Sequence, residues 1–216
     1  MTTTRAASGL EESATPCGVG RVVVEVRAEA AACRLCPRMA PHLQWPQEAF
    51  GTTATGYMMV AEAPSAGARP FEGQRGGLLR EALADVGDPR YAQLEDLFFL
   101  ADAVRCRPLD PKAPARTRAP TTTECRNCQP FLELEVRALH PRLVLAIGAV
   151  ATRAVLGEPV QIEKVHAKRH ILRGTTVLPL VLPSPANRAT LGRLGLTLAT
   201  YRRWLTGLFG TLIEEV

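Results

Sequence analysis

Short apolar runs alternate with amphipathic stretches along most of the chain. Tyr57–Ala61 (YMMVA), Leu97–Ala101 (LFFLA), Arg142–Ile147 (RLVLAI) and Val177–Leu182 (VLPLVL) lack a polar face, which predicts strands buried on both sides. Pro179 and Pro183 place the last of these at a sheet edge or a strand end. Gly77–Val86 has helical character, and so has Thr122–His140, through Phe131, Leu132, Leu134, Val136 and Leu139. Thr121–Thr123 followed by Glu124 marks a helix start. Val22–Cys33 predicts a short helix, Gly148 opens a small-residue helix running to Leu156, and Leu191–Leu212 predicts one long amphipathic helix. Strand and helix in alternation imply an α/β fold with a parallel sheet covered on both faces. The working residues of such a sheet lie on loops at the carboxyl ends of its strands. Those loops begin here at Glu62, Asp102, Gly148 and Pro183.

Residues 1–20 are small and polar without periodicity and read as a flexible tail, leaving 21–216 as one domain. A chain of 216 residues, 46% of them hydrophobic, buries enough surface to fold without disulfide staples. No apolar run approaches the roughly 18 residues of a membrane span. The N-terminus has no secretory h-region, so the expectation is a cytoplasmic monomer.

Six cysteines in such a chain point to metal or redox chemistry. Cys33-Arg-Leu-Cys36 is a CxxC, Cys106 follows a predicted strand, and Cys125 and Cys128 sit at a helix start. Cys17 falls in the tail. A CxxC with two distant cysteines supplies the four thiolates of a [4Fe–4S] cluster or a structural zinc site. Five candidates compete for four places, and spacing alone leaves both the set and the metal open.

The net charge of +5 is unevenly placed. Lys164 to Arg203 holds eight Lys/Arg and no Asp or Glu. The Pro-rich loop adds Arg105, Arg107, Lys112, Arg116 and Arg118 against Asp110 alone, while Glu81–Asp102 is acidic. Such segregation is the footprint of a phosphate-binding face. His166 and His170 lie in the basic stretch, as phosphate-facing or surface residues.

Several segments together resemble the iron–sulfur uracil-DNA glycosylases, the fourth and fifth families of their superfamily. The carriers are CRLCP at Cys33–Pro37, Ala61-Glu62-Ala63-Pro64 with Pro70-Phe71-Glu72-Gly73, and Asp102-Ala103-Val104-Arg105-Cys106. They continue with Pro120, Thr121, Glu124, Cys128, Pro130, Phe131 and Leu132, then Ile147-Gly148-Ala149-Val150-Ala151. Leu182-Pro183-Ser184-Pro185-Ala186-Asn187 and Thr190-Leu191-Gly192-Arg193-Leu194 close the series. The resemblance implies a three-layer α/β/α sandwich around a short, four-stranded parallel sheet. It implies a DNA partner, a flipped base, and Cys33, Cys36, Cys106 and Cys128 as ligands of a structural [4Fe–4S] cluster, with zinc as the alternative.

The resemblance also implies roles for individual residues. Glu62 would activate or orient water, or else pair with an arginine. Asp102 would be the second catalytic residue beside Glu62 and would face the base, together with Ala63, Phe71, Leu182 and Ser184. Phe71 would stack on the base, or else plug the core. Gly67, Gly73, Gly76 and Gly77 would let backbone amides approach the ligand, with Pro64 and Ser65 continuing that loop. Pro183, Pro185, Asn187, Arg188 and Arg193 would contact DNA, Arg188 filling the gap left by the flipped base. Three positions depart from the family: Leu182 replaces a histidine, Asp102 an asparagine and Gln74 an aspartate, and the loop from Pro64 to Pro70 is shorter. An ionised Asp102 only accepts hydrogen bonds, so it matches an exocyclic amine better than a carbonyl. The expected activity is excision of uracil or a related base with altered specificity or reduced rate, the alternative being a DNA-binding module without catalysis.

Overall fold

The computed structural model describes residues 16–42, 50–64, 70–71 and 73–216. Most of the expected tail lies outside them, as do Ser65, Gly67 and Glu72. The four strands foreseen are present as β1 (Tyr57–Ala61), β2 (Phe99–Asp102), β5 (Leu143–Ile147) and β7 (Thr175–Leu180), all parallel. A fifth strand, β6 (His170–Leu172), pairs antiparallel with β7, so the sheet is mixed and ordered β2-β1-β5-β7-β6. The expectation of four strands is corrected on this point. The reason is brevity: His170-Ile171-Leu172 is too short to show a period. A tight turn with Arg173 at φ 50° and Gly174 at φ 85° then folds it onto β7.

The strand with the internal proline is therefore not an edge. Pro179 opposes Ala146 of β5, while β6 ends where His170 meets Val177. The Pro179 carbonyl instead accepts from the Ala167 N–H, past the end of β6. On that side no strand is left to need the amide hydrogen that proline lacks.

Helices α1 (Pro16–Ala31), α4 (Thr122–Leu139) and α5 (Ala149–Leu156) cover one face. Helices α2 (Gln74–Ala84) and α8 (Leu198–Glu214) pack together on the other, with the short α3 (Leu94–Leu97) alongside. Alternation divides β1 between two cores: Met58 and Val60 face the first set, Tyr57 and Met59 the second. α1 begins inside the stretch read as tail. The single long C-terminal helix is corrected to α7 (Arg188–Arg193) and α8, after α6 (Ile162–Val165) earlier in the chain. Gly195, at φ 72°, breaks the run, and Thr197 restarts it through a capping box with Thr200. The Pro-rich loop contains a small hairpin, β3 (Leu109–Asp110) with β4 (Ala113–Thr117).

Thr121 and Glu124 form the expected capping box of α4, and Arg118 grips the Glu124 carboxylate with two nitrogens at 2.6 and 2.8 Å. The buried stripe of α4 is Cys125, Cys128, Leu132 and Glu135, whereas Leu134, expected in the apolar set, is exposed. Glu135 is fully buried and accepts from Arg27 Nε at 3.3 Å and from Arg105 Nη2 at 2.6 Å. Removing one partner of a buried ion group leaves uncompensated charge in the interior. Glu135→Leu is therefore expected to destabilise the fold by about 3–5 kcal/mol, read by urea unfolding.

Candidate active site at the carboxyl edge of the sheet

Four loops leave the same edge of the sheet. Asp102 ends β2 opposite Ala61 of β1, after which come Glu62, Gly148 beyond β5, and Val181–Ser184 beyond β7. Strands about 4.8 Å apart place the backbones of Asp102 and Leu180, the last residue of β7, roughly 14 Å from each other across three intervals. The first two loops are laced together, the Ala103 N–H donating to the Ala61 carbonyl at 2.8 Å and Val104 N–H to that of Glu62 at 3.0 Å. Glu62 is half-buried; Ala63, Pro64 and Asp102 are buried. Expected base-side residues thus do share one edge.

Phe71 lies in the left-handed region, at φ 58°, and is only 4% exposed, packed within the core that contains Met59, Ile147 and Leu180. An aromatic residue held there stores about 1–3 kcal/mol of backbone strain. Gly76 makes the arrangement possible: a Cβ at that position would fall 1.8 Å from the Phe71 carbonyl oxygen. Gly77, by contrast, has nothing within 4 Å of such a Cβ. The Gln74 side chain is outside the described residues.

The loop after β7 is closed by its own polar groups. Asn187 Nδ2 donates to the Leu182 carbonyl at 2.9 Å and reaches Ser184 Oγ at 3.4 Å, and Ser184 N–H donates to the same carbonyl at 2.9 Å. Leu182 is half-buried with its Cβ facing Gly148, Pro183 is buried, and Pro185 and Arg188 are exposed. Arg193 pairs with Glu163. Just before the loop, the Val181 N–H donates to His166 Nδ1, and the Val181 carbonyl accepts from Tyr201 Oη at 2.8 Å. His166 packs against Tyr201 and Trp204, and burial lowers its pKa.

The charge segregation read from the sequence is partly folded away. Arg202, from the basic stretch, binds Asp85 at 2.6 and 2.7 Å and Glu81 at 2.8 Å, both from the acidic one. Arg105, counted with the basic loop, is buried on Glu135. Lys168, Arg169, Arg173, Arg188 and Arg203 remain exposed, with no ion pair among the described residues.

Cys33 and Cys36 occupy the turn after α1, half-buried; Cys106 and Cys128 are buried. Burial, and then the proximity of Cys128, Cys36 and Cys33, pushes the Cys106 thiol up to about 12. Burial also raises Cys128, against the hydrogen bond from the Arg105 backbone, and Cys36 and Cys33 act on it too. These four thiols therefore form one electrostatic group. Cys125 belongs to a different one: it takes a hydrogen bond from Arg153 Nη2 at 3.3 Å, and the charges acting on it are those of Arg153, Glu62 and Glu124. Among the described residues no set of three ligating side chains stands in a ready-formed coordinating geometry. In donor chemistry, four grouped thiols suit a thiophilic centre, iron–sulfur or zinc. Met39, Ala63, Val104, Cys106, Cys125 and Cys128 make a small third core, which joins the thiols to the loop after β1.

The sequence reading missed Arg27, Glu135 and Arg153. Glu135 was findable, since it continues the stripe of Cys125, Cys128 and Leu132 at helical spacing. Nothing in the sequence signals the other two.

Comparison with known proteins places this geometry. The family model described as the uracil DNA glycosylase superfamily matches residues 49–206. A type-4 uracil-DNA glycosylase from Pyrobaculum aerophilum is 34% identical over 110 residues, covering 49% of this chain and 50% of that protein. A type-4 enzyme from Thermotoga maritima is 32% identical over 140 residues, or 62% and 67% of the two chains. A type-5 uracil-DNA glycosylase from Pyrobaculum aerophilum is 38% identical over 99 residues, covering 44% and 40%. The match thus spans half the length of the first of these relatives and two thirds of the second. With a family match over most of its length, the chain belongs to the uracil-DNA glycosylase superfamily, beside members of the fourth and fifth types.

Proposed function

We propose that this protein is a DNA-repair glycosylase that flips a damaged or deaminated base out of the helix and hydrolyses its N-glycosidic bond. The observation that carries the reading is the convergence of Glu62, Asp102 and the Leu182–Arg188 loop on one edge of the sheet. Exposed arginines and lysines stand on the β7 side of the same molecule. They supply the sequence-independent affinity that DNA binding needs.

In this reading the flipped base enters between the β1 loop and the β7 loop. Asp102 meets its edge, with Ala63, Leu182 and Ser184 around it, and Phe71 lies against its face. Glu62 orients the attacking water or accepts its proton as the sugar gains positive character. Arg188, exposed at the start of α7, enters the stack where the base was, flanked by Pro183, Pro185 and Asn187, with Arg193 further along the helix. Leu182 offers no hydrogen bond to the departing base. Removing such a donor typically lowers rate by about 10²–10³. Specificity or rate therefore departs from that of an efficient uracil enzyme.

Cys33, Cys36, Cys106 and Cys128 would hold a [4Fe–4S] cluster, or alternatively zinc. Once bound, the centre would act structurally, cross-linking the segment after α1 to α4 and to the loop after β2. Cys125 stays outside the set.

The absence of a donor at Leu182 is also what favours the second reading, a DNA-binding module that no longer cuts. A panel of duplexes and single strands bearing uracil, hypoxanthine, xanthine or mispaired thymine separates the two. Abasic product is expected on at least one substrate; binding without product on any of them would establish the non-catalytic module. Leu182→His is expected to raise excision of the best substrate by about 10²-fold, measured in single turnover. For the thiol site, visible iron–sulfur absorbance is expected to disappear in Cys128→Ser and persist in Cys125→Ser. A colourless protein carrying one zinc would assign the site to that metal instead.

A further inference from the structure

β7 leaves the sheet at Leu180, whose carbonyl accepts from the Gly148 N–H at 2.7 Å. The Val181 peptide lies past the ladders that β7 makes with β5 and β6, and its polar groups go to side chains instead. Its N–H donates to His166 Nδ1 at 3.3 Å, and its carbonyl accepts from Tyr201 Oη at 2.8 Å. Leu178, Leu180 and Val181 all belong to the core that contains Phe71. A continuing strand would alternate between faces, so the chain turns between Leu180 and Val181. That turn is where the expected base-side loop begins. Leu182 comes next, its carbonyl accepting from Asn187 Nδ2 and from the Ser184 N–H.

The two side chains that hold Val181 are themselves fixed. His166 closes α6, its own N–H donating to the Ile162 carbonyl at 2.8 Å. Ala167 follows at φ 57° and donates to the Pro179 carbonyl at 2.8 Å, a left-handed conformation that alanine keeps only under constraint. The imidazole meets the Tyr201 ring edge-on, with centroids 5.4 Å apart and planes at 80°, and lies 5.8 Å from Trp204. Tyr201 is fully buried and stacks on Trp204. A backbone N–H only donates, so Nδ1 is the bare nitrogen of a neutral ring and Nε2 carries the proton. Burial favours that neutral ring by lowering the His166 pKa, against a hydrogen bond with the Pro179 carbonyl. Burial likewise pushes the Tyr201 hydroxyl up, which keeps it a donor.

Resting on the glycosylase reading, we propose that His166 and Tyr201 are positioning residues for DNA engagement. By holding both polar groups of the Val181 peptide, they set the direction in which the Leu182–Arg188 loop leaves the sheet. Neither side chain touches the base or the phosphates; both act through Val181. That residue is 1% exposed, so no solvent replaces a partner that is lost. A buried N–H without an acceptor carries its full desolvation cost, and the loop keeps its path only while His166 accepts. The loop is then pinned at its start by His166 and Tyr201 and closed on itself by Asn187, with Arg188 directly after that closure.

The test is equilibrium binding to two duplexes of one sequence, one intact and one carrying a tetrahydrofuran abasic-site analogue at its centre. Phosphate contacts are common to both, so the ratio of affinities reports how well the loop fills the gap left by a base. The wild type is expected to prefer the abasic duplex. His166→Leu is expected to lower that ratio by about fivefold or more, the effect of an unpaired buried N–H. His166→Asn places Oδ1 where Nδ1 stood and is expected to restore most of the preference. Tyr201→Phe keeps the ring contacts but leaves the Val181 carbonyl unpaired, and is expected to lower the ratio by a smaller factor. A merely structural role would weaken both duplexes alike, leave the ratio unchanged and give Asn no advantage over Leu. An unchanged ratio in His166→Leu, or the same loss in His166→Asn, overturns the inference, while abasic product from the wild type on the substrate panel leaves the glycosylase reading standing. A wild type that binds both duplexes equally also overturns the inference, and if it forms no product on that panel the glycosylase reading falls with it.

Discussion

A carboxylate buried between two arginines holds the working half of this molecule together. Glu135 lies on α4, Arg27 on α1 and Arg105 on the segment leaving β2, so one fully buried group ties together three elements distant in sequence. The four grouped thiols ride on the same three elements. Cys33 and Cys36 follow α1, Cys106 follows Arg105 directly, and Cys128 lies two turns before Glu135 on α4. The backbone of Arg105 also donates to the sulfur of Cys128. Burying these charges is expensive, and the ion pairs offset that expense only while the geometry is kept. The interaction is therefore better understood as fixing register between α1, α4 and β2 than as a source of net stability.

From that fixed frame the chemistry is passed to the sheet edge by packing. Ala63 and Val104 share a small core with Cys106, Cys125 and Cys128, so the loops after β1 and β2 rest directly on the thiol site. On the opposite side Phe71 is held in a strained conformation because Gly76 leaves room for its carbonyl.

Charge is organised at two scales. The acidic segment that seemed remote from the basic one in sequence supplies Glu81 and Asp85 to Arg202, so part of the basic stretch serves to attach α8 to α2. Of the cations left exposed, Lys168, Arg169 and Arg173 flank β6, Arg188 opens α7 and Arg203 lies on α8. Ion pairing on a partly exposed helix contributes little to stability, and its effect is mainly to withdraw Arg202 from the exposed cations of the basic stretch.

The apolar runs by themselves determined the parallel core of the sheet, because strands buried on both faces must be apolar throughout and nothing else in the chain has that pattern. They also placed Glu62, Asp102 and Gly148 correctly at strand ends, and the Thr121–Glu124 cap fixed where α4 begins. Three features escaped this reading for reasons of length or distance. β6 is three residues long and carries no period, Gly195 needed only its own φ to split the last helix, and Arg105 looked like a loop cation until α1 and α4 closed over it. Which cysteines stand together is likewise a property of the packed molecule. Cys125 and Cys128 share one helical stripe, and only the neighbours that tertiary structure brings, Arg153 for the first and Cys33, Cys36 and Cys106 for the second, tell them apart. Local pattern records what each segment must bury; which charges and thiols meet is decided by contacts tens of residues apart, and no local period encodes those.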